Sequence, residues 1–108
     1  MKYKEIDLIG KIQSELYTEL LFNIVSERAS GVELIKFSIP ASAESLKVIS
    51  TVKRILKSLK NKGEIQFIAD SESFVTGSRE GEFILNKYSD ILGESVSRLG
   101  DCSVLVKL

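Results

Sequence analysis

The chain has 108 residues, of which 44% are hydrophobic and 28% are charged, and its formal net charge is zero. A chain of this length and composition forms one domain with a single hydrophobic core, which excludes a disordered or collagen-like protein. No apolar run approaches the roughly 18 to 20 residues needed to span a bilayer, and the opening residues carry no apolar signal core. We therefore expect a cytoplasmic protein that has no membrane partner.

Two residue counts bear on enzymatic function. The sequence contains no histidine and a single cysteine, Cys102. Histidine is the commonest metal ligand and a frequent general base, so its absence argues against triad hydrolysis and zinc catalysis. A lone cysteine cannot form an internal disulfide, and Cys102 lies beside the apolar run VLVKL, which favours a buried, inert thiol. We expect a non-catalytic domain with neither a metal ion nor another cofactor.

The chain opens with a strand pattern and a helix pattern. The strand is predicted over residues 2–9 and ends at Gly10, and the helix runs from an N-cap at Ser14 to about Ala29. The side of this helix predicted to face the core holds Leu16, Leu20 and Ile24, and Tyr17, Leu21 and Val25 are additional candidates for that side.

The middle of the chain predicts a strand, an amphipathic helix and another strand. The strand covers residues 32–39, between the glycine that ends the first helix and a proline that cannot donate to a sheet. The helix follows an N-cap at Ser42 and stops at Gly63, and the next strand covers residues 64–69. One arc of the helix is apolar, and the neighbouring arc carries Lys47, Lys53, Arg54, Lys57 and Lys60.

The last third of the chain predicts a loop over residues 70–77, a third helix from an N-cap at Ser78 to Gly100, and a final strand over residues 102–108. The apolar positions of this helix are Ile84, Tyr88, Ile91, Leu92, Val96 and Leu99. Strands that alternate with helices favour parallel pairing through crossover connections. The βαβαβαβ order therefore predicts a single α/β domain over residues 1–108, with three helices and a four-stranded, mostly parallel or mixed sheet.

The sequence IDLIG at the end of the first strand resembles the opening motif of the small MutS-related (Smr) domain, Leu-Asp-Leu-His-Gly. Asp7, Leu8 and Gly10 match this motif, whereas Ile9 stands in the histidine position. The basic second helix and the closing strand also follow the family's pattern. The family's His-Gly-x-Gly turn after the second strand is replaced by residues 38–42, and the third helix is an addition. The resemblance implies a domain with a nucleic-acid role that lacks the residues for nuclease activity.

The zero net charge conceals an uneven distribution. Residues 43–62 hold six Lys/Arg against one acid, a net charge of +5, whereas residues 63–108 have a net charge of −4. A basic helix can contact the phosphates of DNA or RNA, and because no aromatic residue is interleaved on it, we expect backbone contacts rather than base stacking. Two alternatives are a solvated lysine surface and a protein-interaction or dimerisation module. In the second alternative, the basic helix would meet a partner's acidic helix, formed in this chain by Glu80, Glu82, Asp90 and Glu94.

Two further segments are weaker candidates for chemistry. Asp70 and Glu72 follow a strand end, where together with Asp7 they could hold Mg²⁺, although acidic loops are common without a metal ion. The segment TGSREG at residues 76–81 precedes a helix but lacks the lysine and spacing of a phosphate-binding P-loop. We interpret the two segments as an acidic loop and a helix N-cap.

Overall fold

The computed structural model describes residues 3–8, 13–39, 45–70, 78–92 and 103–108. Within these ranges the predicted order of strands and helices is confirmed, as is the α/β fold. None of the described helices is long and apolar enough to cross a membrane. The elements are β1 (Tyr3–Asp7), α1 (Gln13–Ala29), β2 (Leu34–Ser38), α2 (Ser45–Asn61), β3 (Phe67–Ala69), α3 (Arg79–Leu92) and β4 (Ser103–Lys107).

The four strands form one mixed sheet in the order β1-β2-β4-β3. Strands β1 and β2 are parallel, and Tyr3 pairs with Leu34. Strand β4 is antiparallel to both of its neighbours, so that Lys107 lies between Leu34 of β2 and Phe67 of β3. The last strand in the sequence therefore occupies an interior position, and the carboxyl ends of β1, β2 and β3 share one edge of the sheet.

The hydrophobic core lies on both faces of the sheet because the inner strands alternate between two apolar sets. Ile35 and Phe37 of β2 pack in a large cluster with buried residues of α1 and α2, while Leu34 belongs to a smaller cluster beneath α3. The buried helical members of the large cluster are Leu16, Leu20, Ile24, Ile49, Val52, Leu56 and Leu59. Helices α1 and α2 therefore form a layer on one face, and α3 covers part of the other.

Both predicted glycine stops are confirmed. Gly31 and Gly63 have φ values of +90° and +81°, a conformation that glycine adopts without a Cβ penalty. The Gly31 N–H donates to the Arg28 carbonyl at 3.1 Å, and the Val32 N–H reaches back to the Glu27 carbonyl at 3.0 Å. The same pair of bonds recurs at Gly63, so both helices end in Schellman motifs.

Helix starts were predicted less well. Helix α1 begins at Gln13, so the prediction that Ser14 is its N-cap is wrong. The N-cap predicted at Ser42 lies outside the described residues, as do the loop at 71–77 and the helix continuation at 93–100. Ser78 does cap α3, because its Oγ accepts a hydrogen bond from the Gly81 N–H at 3.1 Å.

Candidate nucleic-acid interface

Helix α2 is held on the sheet by a continuous apolar side. Val52, Leu56 and Leu59 have no exposed surface, and Ile49 is 3% exposed. Their spacing of three and four residues places them on one side of the helix. The backbone of α2 is therefore a firmly packed support for the charged side chains on its other side.

Four of the five predicted cations lie exposed on the solvent side of α2, and we call Lys47, Arg54, Lys57 and Lys60 the basic surface. They occur within 14 residues, a rise of about 20 Å along a helix. Among the described residues, no ion pair involves any of these four side chains. The basic surface therefore presents four positive charges to solvent along one side of a single helix.

Lys53, the fifth predicted cation, is placed differently. Its side chain is only 28% exposed, and its Nζ lies 3.1 Å from Oδ2 of Asp70, just after β3. The ion pair fastens α2 to the end of β3 and neutralises part of the charge at this position. Lys53 therefore has a structural contact within the domain, in contrast to the four cations of the basic surface.

Lys62, just after α2, lies on the α1 side of that helix, away from Lys53. Its Nζ lies 5.4 Å from the ring centroid of Tyr17 in α1 and donates to the Tyr17 Oη at 3.2 Å. The guanidinium of Arg28, in the last turn of α1, donates to the carbonyl of Glu64, three residues after the end of α2. Lys62 thus marks the α1 side of α2 and Lys53 the β3 side. The solvent arc between them carries Lys47, Arg54 and Lys57, and Lys60 lies just past Lys53.

The carboxylates considered for a metal site are far apart. Asp7 ends β1 at one side of the sheet and Asp70 follows β3 at the other, so three strand spacings, about 14 Å, separate them. Glu72 lies outside the described residues. No group of three metal-ligating His, Cys, Asp or Glu side chains occurs within the described ranges. Asp7 and Asp70 therefore cannot ligate the same cation.

The residues that resemble the Smr motif are described only in part. Asp7 is exposed and pairs in register with Ser38, whereas Leu8 is buried in the core. Ile9 and Gly10 lie outside the described residues. The Ser38 and Ser103 hydroxyls approach to 3.5 Å on the two strands next to Asp7.

A polar cluster on the α3 side of the sheet was not predicted from the sequence. The Tyr88 hydroxyl donates to Oε1 of Glu33 at 3.1 Å, and the Lys87 Nζ lies 3.6 Å from the same oxygen. Burial raises the pKa of Tyr88 to about 12, with a further contribution from Glu33. Burial and the charge of Lys87 lower the pKa of Lys107, which is 6% exposed. Because Tyr88 and Lys87 of α3 both contact Glu33, which precedes β2, we assign this cluster to anchoring α3 on the sheet.

Helix α1 exposes large apolar side chains that were predicted to be buried. Of the three additional candidates for the core side, Tyr17 is 39% exposed and Val25 is 46% exposed, so for these two the prediction is wrong, whereas Leu21 is partly buried and packs against the core. Phe22, which was not assigned to any surface, is 67% exposed. The core contact of α1 uses Leu16, Leu20 and Ile24, and a second apolar row about 100° away cannot share that contact.

Comparisons with known proteins give no further information on identity, because no family model, no curated protein and no solved structure matches this chain. The resemblance to the Smr domain therefore depends on the sequence pattern alone.

Proposed function

We propose that the domain is a non-catalytic, Smr-like module that contacts the backbone of DNA or RNA through the basic surface of α2. The observation that carries this proposal is the exposure of Lys47, Arg54, Lys57 and Lys60 on one side of a helix whose other side is packed in the core. Phosphate groups are the abundant polyanionic ligand that such a row of cations fits.

The chemistry of the basic surface favours contacts that are independent of nucleotide sequence. Its members are three lysines and one arginine, and the exposed apolar and aromatic residues of α1 lie on a different helix. Base recognition needs side chains that reach the groove edges or stack on bases, whereas lysine binds phosphates as a point charge. We therefore expect modest affinity, similar for unrelated sequences and strongly reduced by salt.

Electrostatics outside α2 limit the strength of this interaction. The whole chain is neutral, so the attraction depends on the local charge of +5 over residues 43–62 and is screened beyond about 8 Å at physiological ionic strength. Lys53 contributes less than the other cations because Asp70 already pairs with it.

Fluorescence anisotropy with a labelled RNA hairpin and a labelled DNA duplex of unrelated sequence tests the proposal. We expect the two probes to bind, with log affinity falling linearly against log salt at a slope of about −0.9 per phosphate contacted on duplex DNA. Absence of binding at low salt would reduce the basic surface to a solvated lysine face. A change in sedimentation mass without nucleic-acid binding would instead favour the alternative in which α2 meets an acidic helix.

A further inference from the structure

An exposed serine, Ser50, lies among the cations of the basic surface. It follows Lys47 by three residues and precedes Arg54 by four, so its Cβ is about 5 to 6 Å from the Cβ of each. Lys57 lies two turns after Ser50, about 10 Å along the helix axis. At about 100° per residue the four positions fall within an arc of about 80°, on the side of α2 opposite its buried row. We call Lys47, Ser50, Arg54 and Lys57 the central group.

The hydroxyl of Ser50 is available to a ligand. A serine or threonine within a helix can donate to the carbonyl four residues back, which uses its donor inside the protein. Thr51 donates in this way to the Lys47 carbonyl at 3.2 Å, and Ser30 donates to the Ser26 carbonyl at 3.1 Å. Among the described residues, Ser50 forms no hydrogen bond through its hydroxyl, and its side chain is exposed. Ser50 therefore presents a hydroxyl donor to solvent beside Lys47 and Arg54.

The side chain of Ser50 is short, whereas the other three members of the central group are long. Long side chains on a helix lean toward its N-terminus, so Arg54 leans over the turn that holds Ser50. Its guanidinium can therefore donate to an anion that is held by the Ser50 hydroxyl, and the ammonium of Lys47 can reach the same anion from the preceding turn. The central group thus combines one neutral donor close to the helix with cations around it.

We infer that a phosphate of the nucleic-acid backbone contacts α2 at Ser50, with the serine hydroxyl donating to a phosphate oxygen between Lys47 and Arg54. The inference rests on the proposed function and names the contact point within the basic surface. Hydrogen bonds from serine to phosphate fix the position of a protein on nucleic acid without reading its sequence. Lys57, two turns away, is left to contact a neighbouring phosphate. Ser50 is therefore a positioning residue, in contrast to cations that act through their charge alone.

Ser50→Ala tests the hydroxyl without changing the charge of the protein. Alanine is the strongest helix former, so α2 should be kept. In anisotropy titrations with the labelled duplex, we expect affinity to fall about 2- to 10-fold at every salt concentration, the effect of one hydrogen bond. The slope of log affinity against log salt should equal that of the parent, because this slope reports the number of charge contacts.

Ser26→Ala is the matched control, because Ser26 is also an exposed serine within a helix but lies on α1. This control should bind like the parent. If the parent binds and Ser50→Ala binds equally well, the inference is overturned while the proposed function stands. If the parent itself does not bind, both are overturned.

A charge introduced at the same position gives a second, larger effect. Ser50→Asp places a carboxylate within one turn of Lys47 and Arg54, where it pairs with these cations and repels a phosphate. We expect a greater loss of affinity than in Ser50→Ala and a salt slope shallower than that of the parent by about 1. Ser26→Asp has the same net charge and should resemble the parent, and circular dichroism checks that both variants are folded. Equal losses in the two aspartate variants would overturn the inference, because the position of the added charge would then be irrelevant.

Discussion

Lys53 and Asp70 form an ion pair, with Nζ 3.1 Å from Oδ2, that joins the middle of α2 to the end of β3. Both side chains are about one quarter exposed, so solvent screens the pair only in part. Lys53 differs in this respect from the four cations of the basic surface, because its charge is already paired within the domain. It also supplies a prediction that distinguishes a structural cation from a ligand-binding cation.

Lys53→Gln should lower the free energy of unfolding by up to about 1 kcal/mol, the usual range for an ion pair near the surface. Lys57→Gln should change it by less than about 0.5 kcal/mol, because Lys57 is exposed and glutamine is a good helix former. Nucleic-acid affinity should fall more in Lys57→Gln than in Lys53→Gln. Urea melts and anisotropy titrations on the two variants check this. A larger loss of binding in Lys53→Gln than in Lys57→Gln would show that Lys53 leaves Asp70 to contact phosphate.

The buried side of α2 should dominate the stability of the domain. Leu56 has no exposed surface, so Leu56→Ala removes buried methyl groups and leaves a cavity, at an expected cost of about 2 to 5 kcal/mol. Leu85→Ala on α3 is the control and should cost less than about 1 kcal/mol, because Leu85 is 40% exposed. A loss below about 1 kcal/mol for Leu56→Ala in denaturant melts would contradict the packing of this face.

Local signals in the sequence predicted the helix stops and the central helix because each depends on near neighbours in the chain. Gly31 and Gly63 are the residues that a left-handed C-terminal turn requires, and Ser78 is a preferred N-cap. The spacing of Val52, Leu56 and Leu59 identified the buried side of α2 directly. These features needed no knowledge of distant parts of the chain.

Features that depend on distant pairing could not be predicted in the same way. The position of β4 between β2 and β3 is set by hydrogen bonds between segments more than 30 residues apart, and no local pattern encodes that order. The burial of Lys107 follows from the same pairing, and the Lys53–Asp70 contact follows from the packing of α2 beside the end of β3. The exposure of Tyr17 and Val25 could have been predicted from the sequence. Helix α1 carries two apolar rows and Phe22, and this apolar surface is too broad to be buried by one contact with the core.

The hydrogen bond from Tyr88 to Glu33 should make stability depend on pH in the alkaline range. The pKa of Tyr88 is raised from 10.0 to about 12 in the folded chain, so above pH 10 the unfolded chain loses this proton first. The contribution of Tyr88 to stability is therefore present below pH 10 and is lost as the pH rises toward 12. Lys107 acts in the opposite direction. Burial lowers its pKa in the folded chain, so its effect on the free energy of unfolding becomes more favourable as the pH rises toward the ordinary pKa of lysine.

Tyr88→Phe isolates the tyrosine contribution. The variant should be less stable than the parent at pH 8, by about 0.5 to 1.5 kcal/mol for one hydrogen bond. The difference between the two proteins should shrink between pH 10 and 12, because only the parent has Tyr88 to titrate. Denaturant melts at several pH values check this, with Lys107 present in both proteins. A stability difference that stays constant or grows over this range would contradict the raised pKa.

The domain should hydrolyse neither RNA nor DNA at a measurable rate. The chain has no histidine, and about 14 Å of sheet separates Asp7 from Asp70, so the described residues provide no paired catalytic carboxylates. Incubation of end-labelled RNA and duplex DNA with the protein and Mg²⁺, followed by gel electrophoresis, checks this expectation. Magnesium-dependent cleavage that disappears in Asp7→Ala would overturn it and would assign a catalytic role to the Smr-like motif.

The most direct test of the proposed function compares two double variants that have the same net charge. Arg54→Gln with Lys57→Gln removes two cations from the basic surface. Lys36→Gln with Arg79→Gln removes two cations elsewhere, on β2 and at the start of α3. Anisotropy with the labelled duplex is measured for the parent and for each variant over a series of salt concentrations. The basic-surface variant should bind all sequences more weakly and should have a salt slope shallower than that of the parent by up to about 2, whereas the control should resemble the parent. Equal losses in the two variants would contradict a specific role for α2 and would leave only the overall charge of the chain as the source of binding.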